Sequence, residues 1–285
     1  MPTPFSIDLG GRRLAGLDWG GRGPDLLFLH PNGFCAGLFD PIASRLGGAF
    51  RCLGVDLAGH GASDPPADLS TFTLADLATD VLAALDHLGV EQVRLVGHSL
   101  GGIVSVLVDE QRPGLVTAVL LCEAVILPPP EYFTMPPDRP PMADIARKRR
   151  AVWPDRAAMR ARFAAQPPMA GLAPEALDAY LRWGVHDRPD GQVELACPPE
   201  VEAAVFEVTP TERGSLPAWE HLPALRGRAV VLSGDQTEVQ GIFTPQAERV
   251  GCMHVVVPGG HLQLEEDTGR GADLVTRHLG GAIVG

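Results

Sequence analysis

The sequence predicts an α/β fold: a mostly parallel, twisted sheet flanked by helices, with a helical cap inserted into it. Three observations lead there. Short apolar runs such as Leu26–Leu29 and Val119–Cys122 alternate with stretches of helical period, the pattern of strands buried on both faces. The segment Gly97-His98-Ser99-Leu100-Gly101 follows one strand-like run directly and leads into the apolar stretch Ile103–Val108. A proline-dense segment then breaks the alternation, and no strand-like run returns until Ala229.

The elements follow in order. Leu26–Leu29 is a strand that stops at His30, and Phe50–Leu57 is another. Leu74, Leu77, Ala78, Val81, Leu82, Leu85 and Leu88 recur at helical spacing, and Gly89 closes that helix. The strand Val93–Val96 runs into Gly97, and Val116–Ala124 is the next buried strand. From Leu127 to Pro141 the chain carries Pro128, Pro129, Pro130, Pro136, Pro137, Pro140 and Pro141, a density that no continuous helix or central strand survives. Four helices are expected after it, without strands between them: Ala143–Val152, one from Pro154 to about Ala165, Pro174–Trp183, and one after Pro199. Ala229–Gly234 and His254–Val257 resume the strands, and a last helix carries Leu274, Val275 and Leu279. The resulting division is a core of residues 1–126 and 218–285 with a helical cap, or lid, at 127–217.

Composition bounds the function. The chain has 285 residues, 45% hydrophobic and 20% charged, enough for one large packed domain or a domain with an insertion. Its net charge of -12 argues against nucleic acid as a partner, because phosphate must be neutralised by Lys and Arg. No apolar run approaches membrane-spanning length. Met1 to Leu14 lacks the long apolar stretch of a secretory leader. The five cysteines are scattered and form no Cys-x-x-Cys, the usage of reduced thiols in a cytoplasmic protein. Nothing has metal-ligand spacing, so no metal or cofactor is expected. The basic cluster Arg147-Lys148-Arg149-Arg150 reads as a solvated face, with attraction of an anionic substrate as the alternative.

A Gly-x-Ser-x-Gly between a strand and a helix is the pattern of a nucleophile elbow, in which a sharp turn lifts the serine clear of the sheet. A serine hydroxyl needs a base within hydrogen-bonding reach. Of nine histidines, His261 follows the last strand through Pro258-Gly259-Gly260, at a carboxyl end of the sheet, where ligands bind in open α/β folds. His30, His60 and His98 belong to glycine-rich loops and are expected to hold backbone geometry.

These motifs carry a resemblance. His30-Pro31-Asn32-Gly33-Phe34 is similar to the His-Gly loop of the α/β-hydrolase superfamily. Asp56-Leu57-Ala58-Gly59-His60-Gly61-Ala62-Ser63 is similar to its Asp-x-x-Gly-His-Gly-x-Ser segment. With the elbow and the Pro-Gly-Gly-His loop, the chain resembles the serine-nucleophile, esterase- or lactonase-like branch over nearly its whole length. Ser99 at the elbow separates it from haloalkane dehalogenases and epoxide hydrolases, which use Asp there. The resemblance implies Ser99 as nucleophile, His261 as base and two backbone N–H groups as an oxyanion hole. One donor is Leu100. The other is Asn32, or Phe34, since Pro31 fills the glycine slot and has no N–H. The acid usually stands three residues after the glycine that ends the next-to-last strand, and here that position is Thr237. Glu123, at the tip of an earlier strand, is therefore preferred, with Asp235 and Glu238 as alternatives. An acid at Glu123 is also a feature similar to macrolactone-opening members.

The function expected is hydrolysis of a carboxylic ester or lactone of a moderately hydrophobic small molecule through an acyl-enzyme. Phe163, Tyr180, Trp183 and Phe206 in the cap suggest the apolar substrate, although core packing explains each of them more cheaply. Carbon–carbon bond hydrolysis and acyl transfer are alternatives on the same fold. A non-catalytic ligand-binding receptor is the alternative of another class.

Overall fold

The computed structural model describes residues 1–129 and 141–281. Pro130, Pro136, Pro137 and Pro140 of the proline-dense segment lie outside that range. The strands of the main sheet are β1 (Thr3–Asp8), β2 (Arg13–Gly21), β3 (Asp25–Leu29), β4 (Arg51–Asp56), β5 (Val93–His98) and β6 (Val116–Cys122). Three short strands follow, β7 (Val152–Trp153), β8 (Val185–Asp187) and β9 (Val193–Leu195), before β10 (Ala229–Gly234) and β11 (His254–Val257) return to the main sheet. Its order is β1-β2-β4-β3-β5-β6-β10-β11. The pairs β1·β2 and β2·β4 are antiparallel, and from β4 to β11 the neighbours are parallel.

Strand alternation divides the core in two. Leu27, Leu29, Leu95, Val119, Leu121 and Val231 face one side, where they pack against α2 (Leu74–His87), α3 (Leu100–Gln111), α8 (Leu216–His221) and α9 (Phe243–Val250). Leu26, Phe28, Val96, Leu120, Cys122 and Leu232 face the other, against α1 (Asp40–Leu46), α10 (Gln263–Glu266) and α11 (Thr268–Leu279). Successive residues of a strand point to opposite faces, so a strand covered on both sides must be apolar at every position. That is why these runs were legible as strands. β1 and β2 were not foreseen. β1 is the edge strand and alternates between exposed and half-buried residues. β2 lies between β1 and β4 and is buried from Leu14 to Leu17, but Gly16 and Asp18 interrupt its apolar run.

Between β6 and β10 the chain leaves the sheet. It forms α4 (Met142–Arg147), α5 (Arg156–Phe163), α6 (Pro174–Trp183) and α7 (Pro199–Val208). The expected all-helical insertion is corrected here: β7, β9 and β8 form a three-stranded antiparallel sheet inside it. The helix expected over Ala143–Val152 stops at Arg147 because Val152 and Trp153 pair with Glu194 and Val193. Pro154 precedes α5 rather than opening it. Asp155 is the N-cap, accepting the Ala158 N–H at 2.7 Å. Trp153, Met159, Leu172, Leu177, Tyr180 and Val185 make a third core that reaches Cys35, Leu38 and Leu262 of the main body, so the insertion is seated on the loops beside His261. Phe163 and Trp183 pack against the same cluster, and Phe206 packs where α4 meets α7. No described helix is long and apolar enough to cross a membrane.

Candidate active site

Four neighbouring strands end side by side in the order β5, β6, β10, β11. Ser99 follows β5, Glu123 follows β6, Thr237 lies just past β10 and His261 just past β11. Backbone bonds step across these ends: Ser99 N–H to Cys122 O at 2.9 Å, Glu123 N–H to Leu232 O at 2.8 Å, and Asp235 N–H to Val257 O at 2.8 Å. Parallel register therefore gathers residues far apart in sequence into one row.

Two non-glycine residues among those described have positive φ, Ser99 at 55° and Glu123 at 47°. Such a backbone costs on the order of 1–3 kcal/mol and persists where surroundings over-determine it, often at functional sites. At Ser99 the turn is forced by its neighbours. A side chain on Gly101 would collide with the Leu29 carbonyl of β3, so the following helix can approach the sheet this closely only with glycine there. Leu100 is the first residue of α3, and its N–H has no hydrogen-bond partner among the described residues. It points out of a helix N-terminus, where donors are unsatisfied and negative charge is favoured.

Glu123 is fully buried and each of its oxygens is held. Oε1 accepts the Gly234 N–H at 2.6 Å, and Oε2 accepts the Thr237 hydroxyl at 2.7 Å. Nδ1 of His261 stands 3.0 Å from the same Oε2. The carboxylate accepts only, so Nδ1 carries the proton and Nε2 is left with a lone pair. Neither Nε2 of His261 nor the Ser99 hydroxyl is hydrogen-bonded among the described residues. The histidine loop is tied down on several sides. Asp235 accepts the Gly259 N–H at 3.0 Å, and Glu266 accepts the Gly260 N–H at 3.0 Å through Oε2. The His98 ring meets the His261 carbonyl at 2.7 Å. Of the three candidate acids, Glu123 alone is hydrogen-bonded to the His261 ring; Asp235 and Glu238 are exposed.

The loop after β3 contains a tight turn from Pro31 to Phe34, closed by the Phe34 N–H on the Pro31 carbonyl at 3.2 Å. Its third residue, Gly33, has φ 80°, the left-handed conformation that a type II turn reserves for glycine. The Gly33 N–H goes to Nε2 of His60 at 3.1 Å. The Phe34 and Gly33 donors are thus committed, whereas the Asn32 N–H has no partner among the described residues. The geometry favours Asn32 over Phe34 as a donor to a ligand. Asn32 itself is fixed by its side-chain amide, which donates to the Glu202 carbonyl at 2.9 Å.

The loop histidines do hold backbone. Nε2 of His30 accepts the Leu57 N–H at 3.0 Å while Nδ1 faces the Pro31 carbonyl at 2.8 Å. Burial pulls the His30 pKa well below the ordinary imidazole range and brings that of His60 down to about 4. Asp56 accepts the Ala36 N–H at 2.8 Å and the Ala62 N–H at 2.9 Å. Burial nevertheless pushes its carboxyl up to about 6. The basic cluster is corrected in part. Arg149 is ion-paired with the nearly buried Glu202 of α7, Arg147 bridges to Glu200 and Glu207, and Arg150 lies over the Trp153 ring. No periodic signal links Arg149 to Glu202, so their pairing was not readable from sequence. Among the described residues no cluster of three His, Cys, Asp or Glu side chains could hold a metal ion.

A model of the alpha/beta hydrolase family matches residues 26–274, and the chain belongs to that family. Over 105 residues it is 38% identical to an uncharacterized protein of Mycobacterium tuberculosis, covering 36% of this chain and 30% of the relative. It is 36% identical over 100 residues to the 2-(acetamidomethylene)succinate hydrolase of Mesorhizobium japonicum, covering 35% of each. These matches span about a third of the relatives' length. The fold is similar to the crystal structure of E-2-(acetamidomethylene)succinate hydrolase, with TM-score 0.79 and 21% identity, covering 99% of this chain and 100% of that one.

Proposed function

We propose that this hydrolase-family chain is a serine hydrolase that cleaves a carboxylic ester or lactone of a moderately hydrophobic small molecule. The 3.0 Å contact of His261 Nδ1 with the buried Glu123 carboxylate carries the reading, because it leaves a basic Nε2 at the row of strand ends that includes Ser99. The Ser99 hydroxyl attacks the acyl carbon and its proton passes to Nε2 of His261. The N–H groups of Leu100 and Asn32 receive the oxyanion. Nε2 then protonates the departing alcohol, and water activated by the same nitrogen hydrolyses the acyl-enzyme. Glu123 keeps the ring in its tautomer and stabilises the imidazolium.

Residues 127–217 act as the cap. Its apolar core extends to Leu262, the neighbour of the base, which supports an apolar group on the substrate. Five free cysteines, four of them buried, support a reducing, cytoplasmic setting.

A fluorophosphonate probe tests the reading. The protein should be labelled and Ser99→Ala should not. An unlabelled native protein that binds small esters without turning them over would establish the receptor alternative instead. Aryl esters of graded chain length beside a small lactone panel would then fix the substrate class.

A further inference from the structure

His98 closes β5 and immediately precedes Ser99, and it is fully buried. Its Nε2 is 2.7 Å from the main-chain carbonyl of His261, 163 residues away in sequence. A carbonyl oxygen offers only lone pairs, so this contact requires a proton on Nε2. The other ring nitrogen, Nδ1, is 3.1 Å from Oε1 of Glu265, which is also fully buried. Oε2 of Glu265 has no partner among the described residues. A carboxyl group so enclosed is tolerable only when it is paired, and the His98 ring supplies that partner. Burial works against a charged His98, but Glu265, the His261 carbonyl and Glu123 outweigh it and hold the pKa above its ordinary value. The rings of His98 and His261 are 5.5 Å apart, Cys122 is the register partner of His98 on β6, and the His30 ring is close enough to interact with that of His98 electrostatically.

We propose that His98 and Glu265 are a positioning pair for the base: Glu265 fixes the protons of the His98 ring, and the Nε2–H of His98 anchors the His261 main chain so that its ring sits on Glu123 within range of Ser99. The proposal rests on the reading of Ser99 and His261 as nucleophile and base. The two pairs divide the work. Glu123 orients the His261 ring, and His98 sets where the backbone carrying that ring stands. The anchor comes from the residue next to the nucleophile, so any shift of the elbow is transmitted to the base.

The test uses two substitutions of similar polarity that put an N–H at different reach. The amide nitrogen of Gln can occupy the place of Nε2, whereas that of Asn reaches only the place of Nδ1. With p-nitrophenyl butyrate as substrate, His98→Asn should lose about 10²-fold in kcat with little change in KM, the cost of a base misplaced by roughly 1 Å. His98→Gln should recover most of that loss. Equal kcat in the two variants would overturn the proposal. In the unmodified protein, nitrogen-15 NMR at about pH 8, above the ordinary imidazole range, should show Nε2 of His98 protonated. A bare Nε2 would overturn the proposal even if neither variant folds. Full turnover by His261→Gln or Ser99→Ala would instead remove the underlying assignment, whatever the His98 variants do.

Discussion

The Thr237 hydroxyl donates a 2.7 Å hydrogen bond to the Oε2 atom of Glu123 that His261 Nδ1 also contacts. The position that the resemblance reserves for an acid is thus not idle. Its threonine supports a carboxylate supplied from the strand beside it. Hydrogen bonds to a charged acceptor are worth about 1.5–3 kcal/mol. Thr237→Val should therefore lower kcat by about 10-fold, since each 1.36 kcal/mol in the barrier is tenfold. Glu123→Gln should lower it by about 10⁴-fold, through loss of the correct tautomer and of imidazolium stabilisation. Asp235→Asn changes a side chain that accepts the Gly259 N–H and is not hydrogen-bonded to the His261 ring, and should cost far less. Steady-state kinetics with one aryl ester ranks the three, and a larger loss in Asp235→Asn would reverse the assignment of the acid.

The loop proposed to supply the second oxyanion donor is sensitive at one position. Gly33 has φ 80°, and a Cβ there would lie 2.9 Å from Nη1 of Arg149 and 3.0 Å from Cδ of Glu202. Gly33→Ala combines backbone strain with this crowding, so it should destabilise the fold by about 1–3 kcal/mol. The turn must also shift to relieve the contact, taking the Asn32 N–H with it. Loss of one oxyanion donor costs about 10²–10³ in kcat, and Gly33→Ala should approach the lower figure. Thermal melting and kcat measured on the same preparation check both effects.

The ion pair behind that loop can be taken apart. The Glu202 side chain is 10% exposed and that of Arg149 is 26% exposed. Arg149→Met leaves the Glu202 carboxylate buried without its cation, and such half-removals cost about 3–5 kcal/mol. The lower end is expected here because Arg149 still reaches solvent. Arg149→Met combined with Glu202→Leu should regain most of the loss, since an apolar pair has no charge to desolvate. A double variant less stable than Arg149→Met alone, in urea unfolding, would show that Glu202 matters through contacts other than this pair.

How much of the site was legible depended on where each signal is stored. The elbow and the turn at Gly33 are local, written in glycines that only a tight backbone requires. The strands of the sheet interior were legible because both faces are covered. The candidate base could be placed because His261 follows a strand at the carboxyl edge. What was not legible is stored across the fold. The bond from His98 to the His261 carbonyl, the Arg149–Glu202 pair and the contact of Thr237 with Glu123 join residues from different elements. Their residue types recur elsewhere in the chain, and only the parallel register and the seating of the insertion bring them together. The short sheet in the insertion escaped for a different reason, since strands of two or three residues are too brief to show alternation.

Acid should expose a compensation built into the loops around the site. Burial raises the Asp56 carboxyl from 3.8 to about 6, so between those values the native state holds a proton that the unfolded chain has lost. Stability from this group therefore grows as pH falls from about 6 to 4. His60 is lowered from 6.5 to about 4, so over nearly the same range the unfolded chain holds a proton that the native state refuses. Stability from His60 falls as pH falls, by about 1.4 kcal/mol per pH unit, the same size with the opposite sign. The two offset each other, and the depressed pKa of His30 adds a loss with no such partner. The unmodified protein should accordingly lose stability between about pH 6 and 4 through His30, whereas Asp56→Asn, which lacks the offsetting carboxyl, should lose about 1.4 kcal/mol per pH unit more than the unmodified protein. Other titrating groups act equally on both proteins, so the difference between their urea unfolding free energies at several pH values isolates Asp56. Parallel curves would mean that Asp56 is already ionised throughout this range in the native protein, held so by the Ala36 and Ala62 N–H groups.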